Sequence, residues 1–145
     1  MFEGSLITFL SADSALVSKL SAFEGAPAIF SNAAPQRAEL PYIVFDIDKN
    51  AVENLAASGF DIIMDIYDRV ESGKVIREIA ERIEFVCDRE VIAIGGDTDA
   101  DPRFGQIRLF YEDGREVENS DVKVRHYVVR LSARAGRKKW AAETA

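Results

Sequence analysis

The sequence predicts a single α+β domain with a mainly antiparallel sheet and helices packed on one face. Three observations favour this fold class. The elements follow one another in the order helix, strands, helix, strands. The segment 59–68 alternates between a fully apolar face and a half-polar face, which is typical of an antiparallel sheet covered on one side. The amphipathic segment 72–88 predicts a helix that packs on that sheet.

Residues 2–20 have helical periodicity in two parts. The apolar residues of the first part fall on one face and are Phe2, Leu6, Phe9 and Leu10. Asp13 can cap a second short helix, whose stripe is Leu16, Val17 and Leu20. We therefore expect two short helices, or one helix that breaks near residues 11–13.

A proline-containing loop precedes the most strand-like segment. "AIFS" predicts a short strand, and residues 42–47 ("YIVFDI") predict the next one. Pro35 and Pro41 in the intervening loop push the residues before them out of the helical region. The loop at 32–41 is therefore expected to be extended and well defined.

The helix at 72–88 has a clear buried stripe and a charged outer surface. The stripe consists of Val75, Ile76, Ile79, Ile83 and Val86. Three outward ion pairs at i,i+4 spacing are expected, namely Lys74 with Glu78, Arg77 with Glu81, and Glu78 with Arg82.

The last third of the chain predicts three strands and a tail. "VIAI" is a short strand, and a long loop at 95–105 follows it. Asp113-Gly114 is a strong signal for a hairpin turn. The strand at 122–133 is expected to place Val124, His126 and Val128 on one face. We expect the domain to span 1–133 and residues 134–145 to form a basic, flexible tail.

Length, charge and cysteine content restrict the classes of function open to the chain. The chain has 145 residues, a net charge of −7 and 48% hydrophobic residues, which indicates one globular domain. The acidic balance argues against a general nucleic-acid binder. No apolar run approaches the roughly 20 residues that a membrane span requires, so no membrane partner is expected. A single cysteine, Cys87, excludes an internal disulfide.

The sequence offers no catalytic constellation and no cofactor motif. The one histidine, His126, lies within a predicted strand and is expected to pack or hydrogen-bond locally. Cys87 is expected to be a small core residue. Asp61 and Asp65 share a strand face, but four residues of strand span about 13 Å, too far for a catalytic pair. We therefore expect the chain not to be an enzyme.

The sharpest site-like pattern is "DTDAD", in which Asp97, Asp99 and Asp101 resemble the opening of a calcium loop. The remainder of that pattern is absent, because Pro102 replaces the required glycine and Arg108 the bidentate glutamate. A solvated loop is the leading interpretation, no metal site is assigned, and a weak cation site is the alternative.

Several segments, in their order and spacing, resemble the phage tail-completion family, which is related in fold to the tail terminators of long-tailed phages. They are "LITFLSADSALVSKL", "APQRAELPYIVFDI", "FDIIMDIYDRVESGKVIREIAERI" and "VRHYVVRLSA". Together they span about residues 3–133. The segment after Ala133 has no counterpart in the resemblance.

This resemblance implies a structural protein of a phage or prophage. Such a protein would lie at the head-proximal end of the tail, cap the tail tube, join the tail to the head connector and act as a ring, with six copies expected. Its partners would be further copies, the tail-tube protein and neck proteins. DNA would pass through without tight binding. The protein would be made in the bacterial host cytoplasm and reside in the virion.

The residues expected to contact partners lie in the two long loops. They are Arg37, Glu39, Leu40, Asp99, Asp101 and Arg103. Two other functions stay open. One is a small non-enzymatic binding or regulatory module, with the weak cation site at 97–101. The other is a neck protein that touches the connector but not the tail tube.

Overall fold

A computed structural model describes residues 2–53, 57–93, 104–118 and 122–137. The elements are α1 (Glu3–Ser11), α2 (Ser14–Val17), β1 (Ala22–Phe23), β2 (Ala26–Pro27), β3 (Ile29–Ser31), β4 (Tyr42–Glu53), β5 (Ala57–Arg69), a 3-10 turn (Val70–Ser72), α3 (Gly73–Cys87), β6 (Val91–Ala93), β7 (Phe104–Val117) and β8 (Val124–Arg137). The predicted α+β class is confirmed.

Six strands form one sheet in the order β3-β4-β5-β8-β7-β6. β3 pairs parallel to β4, and every other pairing in this sheet is antiparallel. β1 and β2 form a separate two-stranded ribbon. The long strand β8 therefore lies between β5 and β7, in the middle of the sheet.

The helices pack on one face of this sheet, where alternate strand residues are apolar. Buried side chains of this inner face include Ile43, Phe45, Ile62, Met64, Leu109, Val129 and Leu131. Ile76, Ile79 and Ile83 of α3 are fully buried against them. The alternation predicted for β5 and β8 is confirmed. We call the opposite face, which the described helices leave uncovered, the open face.

The predicted break after residue 11 is confirmed, because α1 ends at Ser11 and Asp13 caps α2. The Asp13 carboxylate accepts a hydrogen bond from the Leu16 N–H at 2.9 Å.

The prediction of ion pairs on the outer surface of α3 was only partly correct. Lys74 lies 3.8 Å from Glu78, as expected. The other two expected pairs were wrong, since Arg77 donates to the Gly73 carbonyl at 3.1 Å and Arg82 bonds Asp13. Glu78 also bonds Lys19, at 2.8 Å. Two of these charges thus tie α3 to the N-terminal helices.

The predicted hairpin turn at Asp113-Gly114 was wrong, since β7 continues through both residues to Val117. Asp113 lies opposite Arg130 of β8 and accepts two hydrogen bonds from it, at 3.0 and 2.7 Å. The register shifts between Tyr111 and Asp113, which marks a bulge at Glu112. Tertiary pairing therefore overrides the local turn preference of the dipeptide.

β8 continues four residues beyond the expected domain end at Ala133. Ala135 is fully buried in the core, and Gly136 pairs with Ala57 of β5. The beginning of the expected tail is thus paired in the sheet. Residues 138–145 lie outside the described residues, so the basic tail remains a prediction for them.

Candidate interaction surface

The open face presents side chains of four long strands in rows that cross the sheet. Because facing residues in paired strands lie side by side, the register defines each row. One row contains Asp48, Asp61, Ser132 and Phe110. The next contains Asp46, Ile63, Arg130 and Asp113. A further row at the other end contains Tyr42, Tyr67, His126 and Val117.

The last of these rows belongs to a continuous line of five rings, which we call the aromatic row. Successive ring centroids are 5.5, 6.1, 5.4 and 4.5 Å apart, in the order Phe23, Phe30, Tyr42, Tyr67 and His126. All five rings are half-buried. Aromatic pairs at such spacings contribute more stability than the area they bury would give, so the aromatic row is a well-packed and partly apolar surface.

His126 is held at the end of the aromatic row by two contacts. Its ring stacks on Tyr67, with an angle of 12° between the planes. Its Nε2 lies 2.6 Å from the Asp65 Oδ1 atom. Burial raises the pKa of the Tyr67 hydroxyl, and the nearby Asp65 carboxylate raises it further. The expectation that His126 packs and hydrogen-bonds locally is confirmed.

Asp61 and Asp65 have separate surroundings. Asp61 is exposed and accepts a hydrogen bond from the Asn50 amide at 3.2 Å, whereas Asp65 contacts His126. The two carboxylates share a face but not a partner.

A shallow pocket of about 280 Å³ opens near the centre of the open face. Its side chains come from β5, β7 and β8 and include Asp61, Ile63, Glu112, Arg130 and Ser132. The bulged residue Glu112 accepts a 2.6 Å hydrogen bond from the Ser132 hydroxyl. Ile63 is 36% exposed, which leaves an apolar side chain at the centre of a polar surround.

Cys87 is fully buried at the end of α3, as predicted. Burial raises the pKa of its thiol to about 12.

The described residues contain no group of three or more side chains suited to hold a metal ion. Asp97, Asp99 and Asp101 lie outside the described residues, so the cation alternative stays a prediction. No described helix is long and apolar enough to cross a membrane.

The loop at 32–41 is anchored at both ends. The Asn32 N–H donates to the Phe45 carbonyl at 2.9 Å, and the Ser21 N–H donates to the Pro41 carbonyl at 3.0 Å. The Ser21 hydroxyl donates to the Leu40 carbonyl. The bond between Leu40 and Pro41 is cis.

Three of the six expected contact residues lie in this loop. Arg37 and Glu39 are exposed, and Leu40 is half-buried. Arg37 lies 3.5 Å from Glu24 in the turn between β1 and β2, an exposed and weak pair. Asp99, Asp101 and Arg103 lie outside the described residues. The role of all six as partner contacts stays a prediction.

Sequence reasoning did not find the aromatic row. Its members come from five strands, β1, β3, β4, β5 and β8, and only the tertiary fold brings them together. One signal was present: Tyr42 and Tyr67 occupy outward positions of their strands, where polar residues are usual.

No family model matches the chain, and no curated protein matches it. Solved structures do match in fold. One is a chain of the virion of a native gene transfer agent particle, with a TM-score of 0.69 and 13% identity, over 92% of this chain and 93% of the other. A second solved chain has a TM-score of 0.56 and 11% identity, over 92% and 89%. At these identities the similarity concerns the fold, which this chain shares over nearly its whole length with a chain of the gene transfer agent virion.

Proposed function

We propose that this chain is a structural protein of a phage or phage-like particle. In this proposal it lies at the head-proximal end of the tail, caps the tail tube and joins the tail to the head connector as a ring, with a hexamer as the expected form. The observation that carries the proposal is the shared fold with a gene transfer agent virion chain over 92% of this sequence. Because a fold hosts many functions, the surfaces must support it as well.

The open face supports an assembly role. A ring protein needs one set of contacts for its neighbours and another for the partners above and below it. The aromatic row and the exposed Ile63 leave apolar area on a face that the described helices do not cover. Charged side chains surround this area. Apolar centres with polar rims are typical of protein interfaces.

The anchored loop at 32–41 supports a second contact surface. Hydrogen bonds from Ser21 and Asn32 hold its two ends, so Arg37 and Glu39 are presented from a backbone that is already ordered. A pre-ordered loop loses less conformational entropy when a partner docks. We assign this loop to contacts with tail-tube or neck proteins.

The reactive side chains that the sequence singled out serve packing instead. His126 is engaged by Tyr67 and Asp65, and the Cys87 thiol is buried with a raised pKa. This arrangement favours a structural role over an enzymatic one. The net charge of −7 also suits a ring through which DNA passes without tight binding, since the acidic chain repels phosphates.

Deleting the gene from an inducible prophage tests the proposal. Electron microscopy of the induced lysate should reveal filled heads lying apart from tails, with tails of irregular length. Expression of the chain from a plasmid should restore joined particles. Joined, normal particles from the deletion strain would overturn the proposed function.

The same strain tests the loop contact. Complementation with the double variant Arg37→Ala and Leu40→Ala should lower the fraction of joined particles, because both side chains lie in the proposed contact loop. Lys74→Ala is the matched control, since Lys74 is exposed on α3, away from the loop. Equal complementation by the double variant and the control would remove the loop from the interface.

A further inference from the structure

On the open face, acidic side chains predominate on β4 and β5, and arginines predominate on β7 and β8. The outward charges of β4 and β5 are acidic apart from Arg69 at the end of β5, and we call Asp46, Asp48 and Asp61 the acidic half. The outward charges of β7 and β8 are mostly arginines, and we call Arg108, Arg115 and Arg134 the basic half. The central pocket with Ile63 lies between the two halves.

Each half places like charges directly opposite one another. Asp48 faces Asp61 across β4 and β5, and Arg108 faces Arg134 across β7 and β8. Like charges at facing positions destabilise a sheet. Asp48, Arg108 and Arg134 form no ion pair within the described residues. Within the described residues, these three side chains thus lack an ion-pair partner, whereas the Asp61 charge is partly compensated, since it helps to raise the pKa of Arg130.

We infer that the open face is the contact between neighbouring copies of this chain, with the acidic half of one copy against the basic half of the next. This inference rests on the proposed function in one respect, namely that several copies assemble. One neighbouring copy supplies the missing sign to the acidic half, and the copy on the other side supplies it to the basic half. A nucleic acid would be attracted by one half and repelled by the other.

The remainder of the face suits this partner. Ile63, at 36% exposure, provides an apolar centre, and the charges lie around it. Arg130 and Asp113 form an ion pair with each other next to the pocket, so neither brings an unpaired charge into the centre of the open face. An offset between the two copies leaves one half of each copy free for a further copy, which a ring requires.

Charge reversal tests the contact in purified protein. One variant carries Asp48→Arg and Asp61→Arg, and the other carries Arg108→Glu and Arg134→Glu. We expect the unaltered chain to self-associate at low salt in analytical ultracentrifugation. We expect each variant alone to sediment as a monomer at the same concentration, and an equal mixture of the two to associate again.

The matched control carries Glu81→Arg and Glu90→Arg, which change the net charge as much as the first variant does. Both control residues are exposed and lie on or just after α3, away from the open face. The control should associate like the unaltered chain. Circular dichroism and the urea midpoint establish that every variant is folded.

Three results would overturn the inference: an unaltered chain that stays monomeric at millimolar concentration in low salt, variants that associate normally, or a mixture that stays monomeric. These outcomes are distinguishable from failure of the proposed function. Normal association of both variants, combined with separated heads and tails in the deletion strain, would remove this contact and leave the function standing.

Discussion

Asp13 accepts two hydrogen bonds from the Arg82 guanidinium, at 2.8 and 2.7 Å. The same carboxylate accepts a bond from the Leu16 N–H and so caps α2. The Asp13 side chain therefore caps the N-terminus of α2 and also links α2 to α3 through Arg82. The Arg82 hydrogen bonds lower the pKa of Asp13 below its ordinary value of 3.8.

Substitutions at Asp13 should separate its two roles. Asp13→Asn keeps a capping oxygen and loses the charge, whereas Asp13→Ala loses both. Loss of a cap alone typically costs about 1 kcal/mol of the free energy of unfolding. Urea denaturation at neutral pH should rank the unaltered chain as most stable and Asp13→Ala as least stable. Equal midpoints for the three proteins would contradict both roles.

The charge of Asp13 should stabilise the fold at neutral pH and lose this effect in acid. Its folded pKa is lower than its unfolded pKa, so the stabilisation is present above the unfolded value and is lost as the pH falls through the folded value. The difference in thermal midpoint between the unaltered chain and Asp13→Asn should therefore shrink below about pH 3.8. A difference that stays constant down to the lowest measurable pH argues against the ion pair.

Gly114→Ala should destabilise the chain. A Cβ atom at this residue would lie 2.9 Å from the Tyr111 hydroxyl and 3.1 Å from the Tyr127 ring. The Tyr111 side chain must shift and the Tyr127 ring must yield by a few tenths of an ångström, which lowers the free energy of unfolding. Gly136→Ala is the matched control in β8, because its nearest contact is at 3.9 Å. The comparison is made by urea midpoint, and equal effects of the two substitutions would disprove the crowding at Gly114.

Asp68→Asn should stabilise the chain near neutral pH. Asp68 is 2% exposed, and its Oδ2 atom has no hydrogen-bond partner among the described residues, while Oδ1 accepts from the Arg69 N–H at 2.8 Å. Burial raises the pKa of this carboxyl. The charged form therefore destabilises the fold above the folded pKa, and the penalty fades as the pH falls through it.

Thermal midpoints across pH check this prediction. Asp68→Asn should unfold at a higher temperature than the unaltered chain near neutral pH, and the two should converge in acid. Glu81→Gln, at an exposed residue of α3, is the control and should change little. A lower midpoint for Asp68→Asn at neutral pH would mean that the charge is stabilised by a contact outside the described residues.

Cys87 should resist thiol reagents in the folded chain. Its side chain is fully buried, and its thiol pKa is raised to about 12, so the reactive thiolate is scarce near neutral pH. Labelling with a chromogenic disulfide reagent should be slow in buffer and complete in urea. Rapid labelling of the folded chain would contradict the burial of Cys87.

The sequence predicted the parts of the fold that depend on local periodicity. The stripe Ile76, Ile79 and Ile83 predicted α3, and alternation predicted both faces of β5. It did not predict features that depend on pairing. Asp113-Gly114 has local turn chemistry, yet the bonds from Arg130 and the pairing with β8 keep it within β7.

The candidate surface was predictable only in part for the same reason. Alternation in each strand indicated which residues share a face with Tyr67 and which share a face with His126. The stacking of these two rings requires β8 to lie beside β5 in one register, which a single sequence does not specify. The separation of charge into two halves of the open face likewise appears only once the strand order is known.

Localisation of the chain in finished particles tests the proposed function most directly. A copy with an affinity tag at its C-terminus would complement the deletion, and purified particles would be labelled with gold against the tag. The account predicts gold at the joint between head and tail, one cluster per particle. Gold along the tail or on the head shell would contradict the proposed position. Joined particles without gold, from a strain whose only copy of the gene is the tagged one, would contradict it as well.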